Sequence, residues 1–101
     1  MNYLGFPHVP TFGRETGIKQ QALKVLEEAA ELVEAAKAFD TWCEVEGYHE
    51  RRTALLDEAA DVNQALVNLL DGLASKEEID DAAMRCFGRN YARGRFYDDE
   101  E

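Results

Sequence analysis

Five acidic residues in two short stretches carry the densest chemistry of this sequence. Glu27, Glu28 and Glu31 stand in Leu26-Glu27-Glu28-Ala29-Ala30-Glu31-Leu32, and Glu58 and Asp61 stand in Leu56-Asp57-Glu58-Ala59-Ala60-Asp61-Val62. The second stretch repeats the first thirty residues later, and the likeness extends outward to Val25/Leu55 and Ala35/Ala65. A helix turns about 100° per residue, so Glu28 and Glu31 lie within about 60° of each other on one face, as do Glu58 and Asp61. With Glu28 as zero, Val25, Ala29, Leu32, Val33, Ala36 and Phe39 fall between roughly 20° and 140°. With Glu58 as zero, Leu55, Ala59, Val62, Leu66, Leu69, Leu70 and Leu73 fall between roughly 20° and 120°. Each carboxylate pair therefore borders the same side of an apolar stripe. Two such stripes packed as an antiparallel hairpin bring both pairs to one place. Four carboxylates meeting at the edge of a core repel one another unless a cation lies between them.

The donor set selects the ion. Glu28, Glu31, Glu58 and Asp61 offer only oxygen, which suits Mg²⁺ or Mn²⁺ rather than Zn²⁺. Mg²⁺ held by a few carboxylates keeps positions for water and for substrate phosphates. Gln21 and Lys24 fall within about 40° of Glu28, and Asn68 within about 80° of Glu58, so polar residues continue the acidic stripe. Glu34, Lys37, Asp57 and Gln64 read instead as an ordinary solvated helix face. Further on, Arg85, Arg89, Arg93 and Arg95 fall within eleven residues, with Asn90 among them. Compensation of a helix C-terminal dipole accounts for one or two arginines; four are a candidate phosphate-binding set.

The elements that must position these residues are helical. The first fifteen residues hold both prolines, Pro7 and Pro10, and the aromatics Tyr3, Phe6 and Phe12, so they form a non-helical arm. Such an arm packs across a core or a partner, or covers a ligand pocket to which Phe6, His8 and Phe12 could contribute. Helix 1 is expected over 16–39 with Thr16 as N-cap, interrupted at Asp40-Thr41. Thr41 with Glu44 resembles a capping box, and Trp42 and Tyr48 should anchor the connection. Helix 2 is expected over 49–74. Ser75 with Glu78 is a capping box that opens helix 3 over 76–92, and Gly94 stops it. Helix 3 shows Ile79, Ala83, Cys86 and Phe87 at helical spacing, and residues 96–101 are an acidic tail. No strand pattern appears. The expected fold is all-α in a single domain over 1–101: a long helical hairpin plus a third helix. Two long helices and one more give a thin core, so homodimerisation should complete a four-helix-type bundle.

Composition narrows the partners. The chain has 101 residues, 46% hydrophobic and 32% charged, with a formal net charge of -10. A basic surface for a nucleic-acid backbone is missing, so nucleic acid is not an expected partner. A nucleotide bound through a divalent ion remains open, because the ion reverses the local charge. Cys43 and Cys86 stand apart with no CxxC, as reduced thiols would. No apolar run approaches a membrane span, and no basic segment precedes an apolar one at the start. The expectation is a cytoplasmic protein without a membrane partner.

The ordered set of motifs resembles a known family. Glu27-Glu28-x-x-Glu31 followed by Glu58-x-x-Asp61 is similar to the EExxE…ExxD signature of the MazG-like all-α nucleoside triphosphate pyrophosphohydrolases. The wider pattern, from Gln21-x-x-Lys24 through Asn68-Leu69 to Arg89-Asn90-x-x-Arg93-Gly94-Arg95, looks like the small phage and bacterial members. The resemblance covers about residues 20–95. It implies a Mg²⁺-dependent cleavage between the α- and β-phosphates of a nucleoside triphosphate, giving monophosphate and pyrophosphate. It implies a four-helix bundle made by a homodimer or a tetramer. It implies that carboxylates matching Glu28, Glu31, Glu58 and Asp61 hold the metal, with Glu27 in a supporting part. Rival readings are a non-catalytic helical dimer binding nucleotide or metal, and a bundle whose acidic surface docks a protein partner.

Overall fold

The computed structural model describes residues 4–5, 8–13, 16–41 and 47–96. Three helices account for the regular structure: α1 (Ile18–Thr41), α2 (Tyr48–Leu70) and α3 (Lys76–Ala92). No strand occurs among the described residues. The chain divides into two compact units, Phe6–Asp71 with α1 and α2, and Gly72–Glu101 with Met1–Gly5, which holds α3.

In the first unit α1 and α2 pack on each other, and positions on one rise as those on the other fall. The rings of Phe39 and Tyr48 lie 5.3 Å apart at one end. Carboxylate oxygens of Glu31 and Glu58 meet further along, and Glu28 and Asp61 share a cavity wall beyond them. The hairpin is antiparallel. Val25, Ala29, Leu32, Ala36 and Phe39 are half-buried on α1, as are Leu55, Ala59, Val62 and Leu69 on α2. Ala65, 4% exposed, is the one buried apolar residue among those described. Val33 and Leu66, placed on the stripe by their angles, are exposed, and so are Leu26 and Leu56 on the opposite flank. Two helices meet along one line, which covers a narrower arc than the apolar residues occupy.

The helix ends differ from expectation in three places, each for a local reason. Thr16 does not cap α1; the Gly17 carbonyl takes the first helical bond, from Gln21 N at 3.1 Å. The Thr16 hydroxyl instead accepts from the Gln21 side-chain amide at 2.9 Å. Asp40-Thr41 does not interrupt α1, because Thr41 donates its hydroxyl to the Lys37 carbonyl at 2.8 Å and stays within the last turn. α2 ends at Leu70 rather than 74. Gly72 follows at φ 74, where glycine alone is comfortable, and Leu73 lies beyond the helix and exposed. Trp42, Cys43 and Glu44, Tyr3 and Phe6, and the acidic residues from 97 onward fall outside the described residues.

In the second unit α3 has the expected limits. Ser75 Oγ accepts from Glu78 N at 3.1 Å while Glu78 Oε1 accepts from Ser75 N at 2.8 Å. The Ser75 backbone and side-chain bonds hold the Glu78 carboxyl below the ordinary glutamate range. At the far end Gly94 at φ 68 allows Gly94 N to bond Tyr91 O and Arg95 N to bond Asn90 O, a Schellman ending. Phe87 stacks with Tyr91 and with Phe96, at 6.1 and 5.0 Å between ring centres. Ile79, Ala83, Cys86 and Phe87 keep their helical spacing yet are exposed. No helix is long and apolar enough to cross a membrane among the described residues.

Candidate functional site

The alanines between the acids set the site's dimensions. Helix axes approach as closely as the side chains between them permit, and Ala29, Ala35, Ala59 and Ala65 are small. Beside them three glutamates from two helices converge. One carboxylate oxygen each from Glu28, Glu31 and Glu58 lies within 4.8 Å of the others. Asp61 is not of this triplet. It lines an adjoining cavity together with Glu28 and Lys24.

Glu28 sits at the junction, its side chain only 13% exposed. Its Oε1 is 3.1 Å from Lys24 Nζ. Its Oε2 is buried with no hydrogen-bond partner among the described residues, and the same is true of Glu58 Oε2. A buried carboxylate oxygen without a partner is a cost that some positive group must offset. Glu31 shows the same stress. Its carboxyl is held above the ordinary glutamate range, first by a hydrogen bond to Glu28 that requires a shared proton, then by the charges of Glu28 and Glu58. When both groups ionise the proton is gone and the contact turns repulsive. Lys24 is raised in turn by its bond to Glu28 and by the nearby charge of Glu27, 3.7 Å away.

The site lies between two cavities. The larger, about 670 Å³, has Lys24, Glu28 and Asp61 at its acidic end. Phe12, Gln64 and Asn68 belong to its other end, and Gln21 to its wall. The smaller, about 490 Å³, is lined by Glu31 and Glu58 with Glu34 and two alanines. Glu34 pairs with Lys37 at 3.3 Å and both are exposed, as a solvated face requires. Glu27 is exposed and touches only Lys24 among the described ion pairs.

Gln64 departs from the solvated-face reading. Its amide Nε2 donates to the Pro10 carbonyl at 2.9 Å and to Asn68 Oδ1 at 3.0 Å. Asn68 Oδ1 also accepts from the backbone N–H of Phe12 at 3.1 Å. Residues 10–12 of the arm are thereby fastened to α2 at the cavity's edge. The available signal was the i, i+4 spacing of two amides beside the acidic stripe.

The basic residues belong to the other unit, where their contacts are internal to its helix end. Arg95 donates to Asn90 Oδ1 at 3.1 Å, Asn90 Nδ2 approaches Cys86 Sγ at 3.5 Å, and Arg93 N bonds Arg89 O at 3.2 Å. Arg89, Arg93 and Arg95 are exposed.

Three carboxylates fit a hard divalent cation. Neighbouring oxygens around one octahedral Mg²⁺, bound at about 2.0–2.1 Å, lie about 2.9 Å apart, so the triplet, whose oxygens lie within 4.8 Å of one another, would close up by as much as about 2 Å around the ion. A cation placed there would find the unpartnered Oε2 atoms of Glu28 and Glu58 as donors. Comparisons of this chain with protein-family models, with curated proteins and with solved structures find no match.

Proposed function

We propose that this chain is a Mg²⁺-dependent nucleotide pyrophosphohydrolase that cleaves the α–β phosphoanhydride of an NTP or dNTP. The observation that carries the reading is the convergence of Glu28, Glu31 and Glu58, with two buried unpartnered oxygens, beside a cavity of about 670 Å³. That volume lies in the range of small-molecule sites. The motif order that resembles the MazG-like enzymes supports the same reaction.

Glu28, Glu31 and Glu58 would hold the ion, with Asp61 reaching it from the cavity side. A divalent cation supplies polarisation of phosphoryl oxygens, and it lowers the pKa of bound water. The chain's own residues do the rest. Lys24 neutralises Glu28 and sets a positive charge at the cavity's acidic end, where a polyphosphate would otherwise be repelled. Glu27 holds Lys24 from its exposed side. Water attacks the α-phosphorus, the bond to the bridging oxygen breaks, and pyrophosphate leaves with that oxygen. The leaving group gains charge as the bond breaks, so cationic side chains help most at that point. Arg89, Arg93 and Arg95, with Asn90, are the further candidates for phosphate contact.

The assembly is proposed to be a homodimer, or a tetramer built from dimers. Leu26, Val33 and Leu56 are at least half exposed on the hairpin, and a second hairpin laid against them would make a four-helix bundle. Light scattering should give at least twice the monomer mass; a folded, active monomer at micromolar concentration would refute the assembly.

A panel of ribo- and deoxyribonucleoside triphosphates with Mg²⁺, scored for monophosphate plus pyrophosphate, tests the reaction. Release of orthophosphate and diphosphate, or no turnover with any member, would overturn it.

A further inference from the structure

We propose that the arm segment around Phe12, fastened to α2 by Gln64 and Asn68, is the base-recognition element of the larger cavity. This rests on the nucleotide reading of that cavity and adds what selects among nucleotides. Three observations carry it. Phe12 lines the cavity and is 78% exposed, and its ring contacts no other ring among the described residues. An aromatic ring at a cavity edge, clear of other rings, is a stacking platform for a base. The acidic end is occupied by Lys24, Glu28 and Asp61, which leaves this end for the uncharged part of a nucleotide.

The third observation concerns polarity. Side-chain amides normally leave the positions of oxygen and nitrogen ambiguous, but here backbone groups fix them. The Phe12 N–H can only donate, so the Asn68 atom that meets it is Oδ1. The Pro10 carbonyl can only accept, so the Gln64 atom that meets it is Nε2. Asn68 Nδ2 and Gln64 Oε1 are left without a hydrogen-bond partner among the described residues, one a donor and the other an acceptor. The arm's backbone thus sets the pattern that α2 presents to a base edge. A base with an adjacent acceptor and donor satisfies both; a wrong pattern leaves a polar atom unpaired.

Two variants separate stacking from reading. Phe12→Ala removes the platform. Asn68→Asp keeps an oxygen for the Phe12 N–H and replaces the free donor with an acceptor. The test measures Kd by calorimetry for the four nucleoside monophosphates and for inorganic tripolyphosphate, each with Mg²⁺, alongside the hydrolysis panel. Phe12→Ala should weaken the preferred monophosphate by about five- to a hundredfold. Tripolyphosphate, which has no base, should bind as before. Asn68→Asp should change the order of preference among bases while circular dichroism stays that of the parent.

Equal losses for tripolyphosphate and nucleotide, or unchanged nucleotide binding in both variants, would overturn the proposal and leave the hydrolysis reading standing. Base-dependent binding without turnover in the parent protein would do the reverse. Failure of the parent to bind any nucleotide would sink both.

Discussion

The two acidic stretches are near copies in sequence and unequal in space. Glu28 and Glu58 occupy matching positions, both half-buried, and both with an Oε2 that has no partner among the described residues. Their partners three residues on diverge: Glu31 joins the triplet, whereas Asp61 lines the cavity. Aspartate is one methylene shorter, so the same backbone position delivers its oxygens to a different place. The bases diverge too. Lys24 stands four residues before Glu28, 3.1 Å from it, and the matching position before Glu58 is Ala54. The α1 copy is therefore partly neutralised, and the α2 copy has no ion pair among the described residues. The repeat supplies the charge, and the small departures from it supply direction, with the Glu28, Glu31 and Glu58 triplet on one side and Asp61 on the cavity wall on the other.

That comparison is sharpened first at Glu58, where no lysine shares the load. Glu58→Gln should lower Mg²⁺-dependent turnover by at least about a hundredfold. Its melting temperature without metal should be equal or higher, since one like charge is gone. Activity near the parent level would remove the metal site.

Lys24→Ala tests the neutralised copy. A decrease in kcat/KM of about ten- to a thousandfold per folded molecule is expected, over and above any fall in melting temperature from leaving the part-buried Glu28 without its lysine. If the variant melts early and each folded molecule turns over normally, Lys24 serves only to hold Glu28.

Asp61→Asn should cost less than Glu58→Gln, about tenfold in kcat/KM, and mainly through KM. Equal losses at the two positions would make Asp61 as strong a metal ligand as Glu58, and the asymmetry drawn from the triplet would collapse.

The smallest effect is on stability against pH. Glu31 binds a proton more tightly folded than unfolded, so its contribution is fully present below the ordinary glutamate value of about 4.3 and is lost as pH rises through the folded value. Melting temperature in a chelator should therefore fall with rising pH over that window. Mg²⁺, or Glu31→Gln, should flatten the slope; an unchanged slope in Glu31→Gln would assign it to other groups.

How far these features were legible follows from the range of the interactions. The Ser75/Glu78 cap and the ending at Gly94 were readable because each closes within a few residues, so neighbours alone decide it. The acidic pairs were readable for the same reason, since 100° per residue fixes which side chains share a helix face. Thr16 and Thr41 misled because a hydroxyl has several local acceptors and donors within reach, and sequence does not rank them. Val33 and Leu66 lie on the stripe yet outside the contact of α1 with α2, because an apolar stripe states what could be buried, while the line of helix contact decides which part this hairpin covers.

Residue order alone specifies helices as the regular structure, two matched carboxylate pairs flanked by apolar residues, and an oxygen-only donor set. The tertiary structure decided which oxygens meet. It brought Glu58 to Glu28 and Glu31, left Asp61 on the cavity wall, and fastened Phe12 to Asn68 across 56 positions and Pro10 to Gln64 across 54. Those outcomes depend on the rotation of one helix against another and on side-chain length to within a methylene. No periodicity encodes either, because both are set by packing the whole hairpin at once.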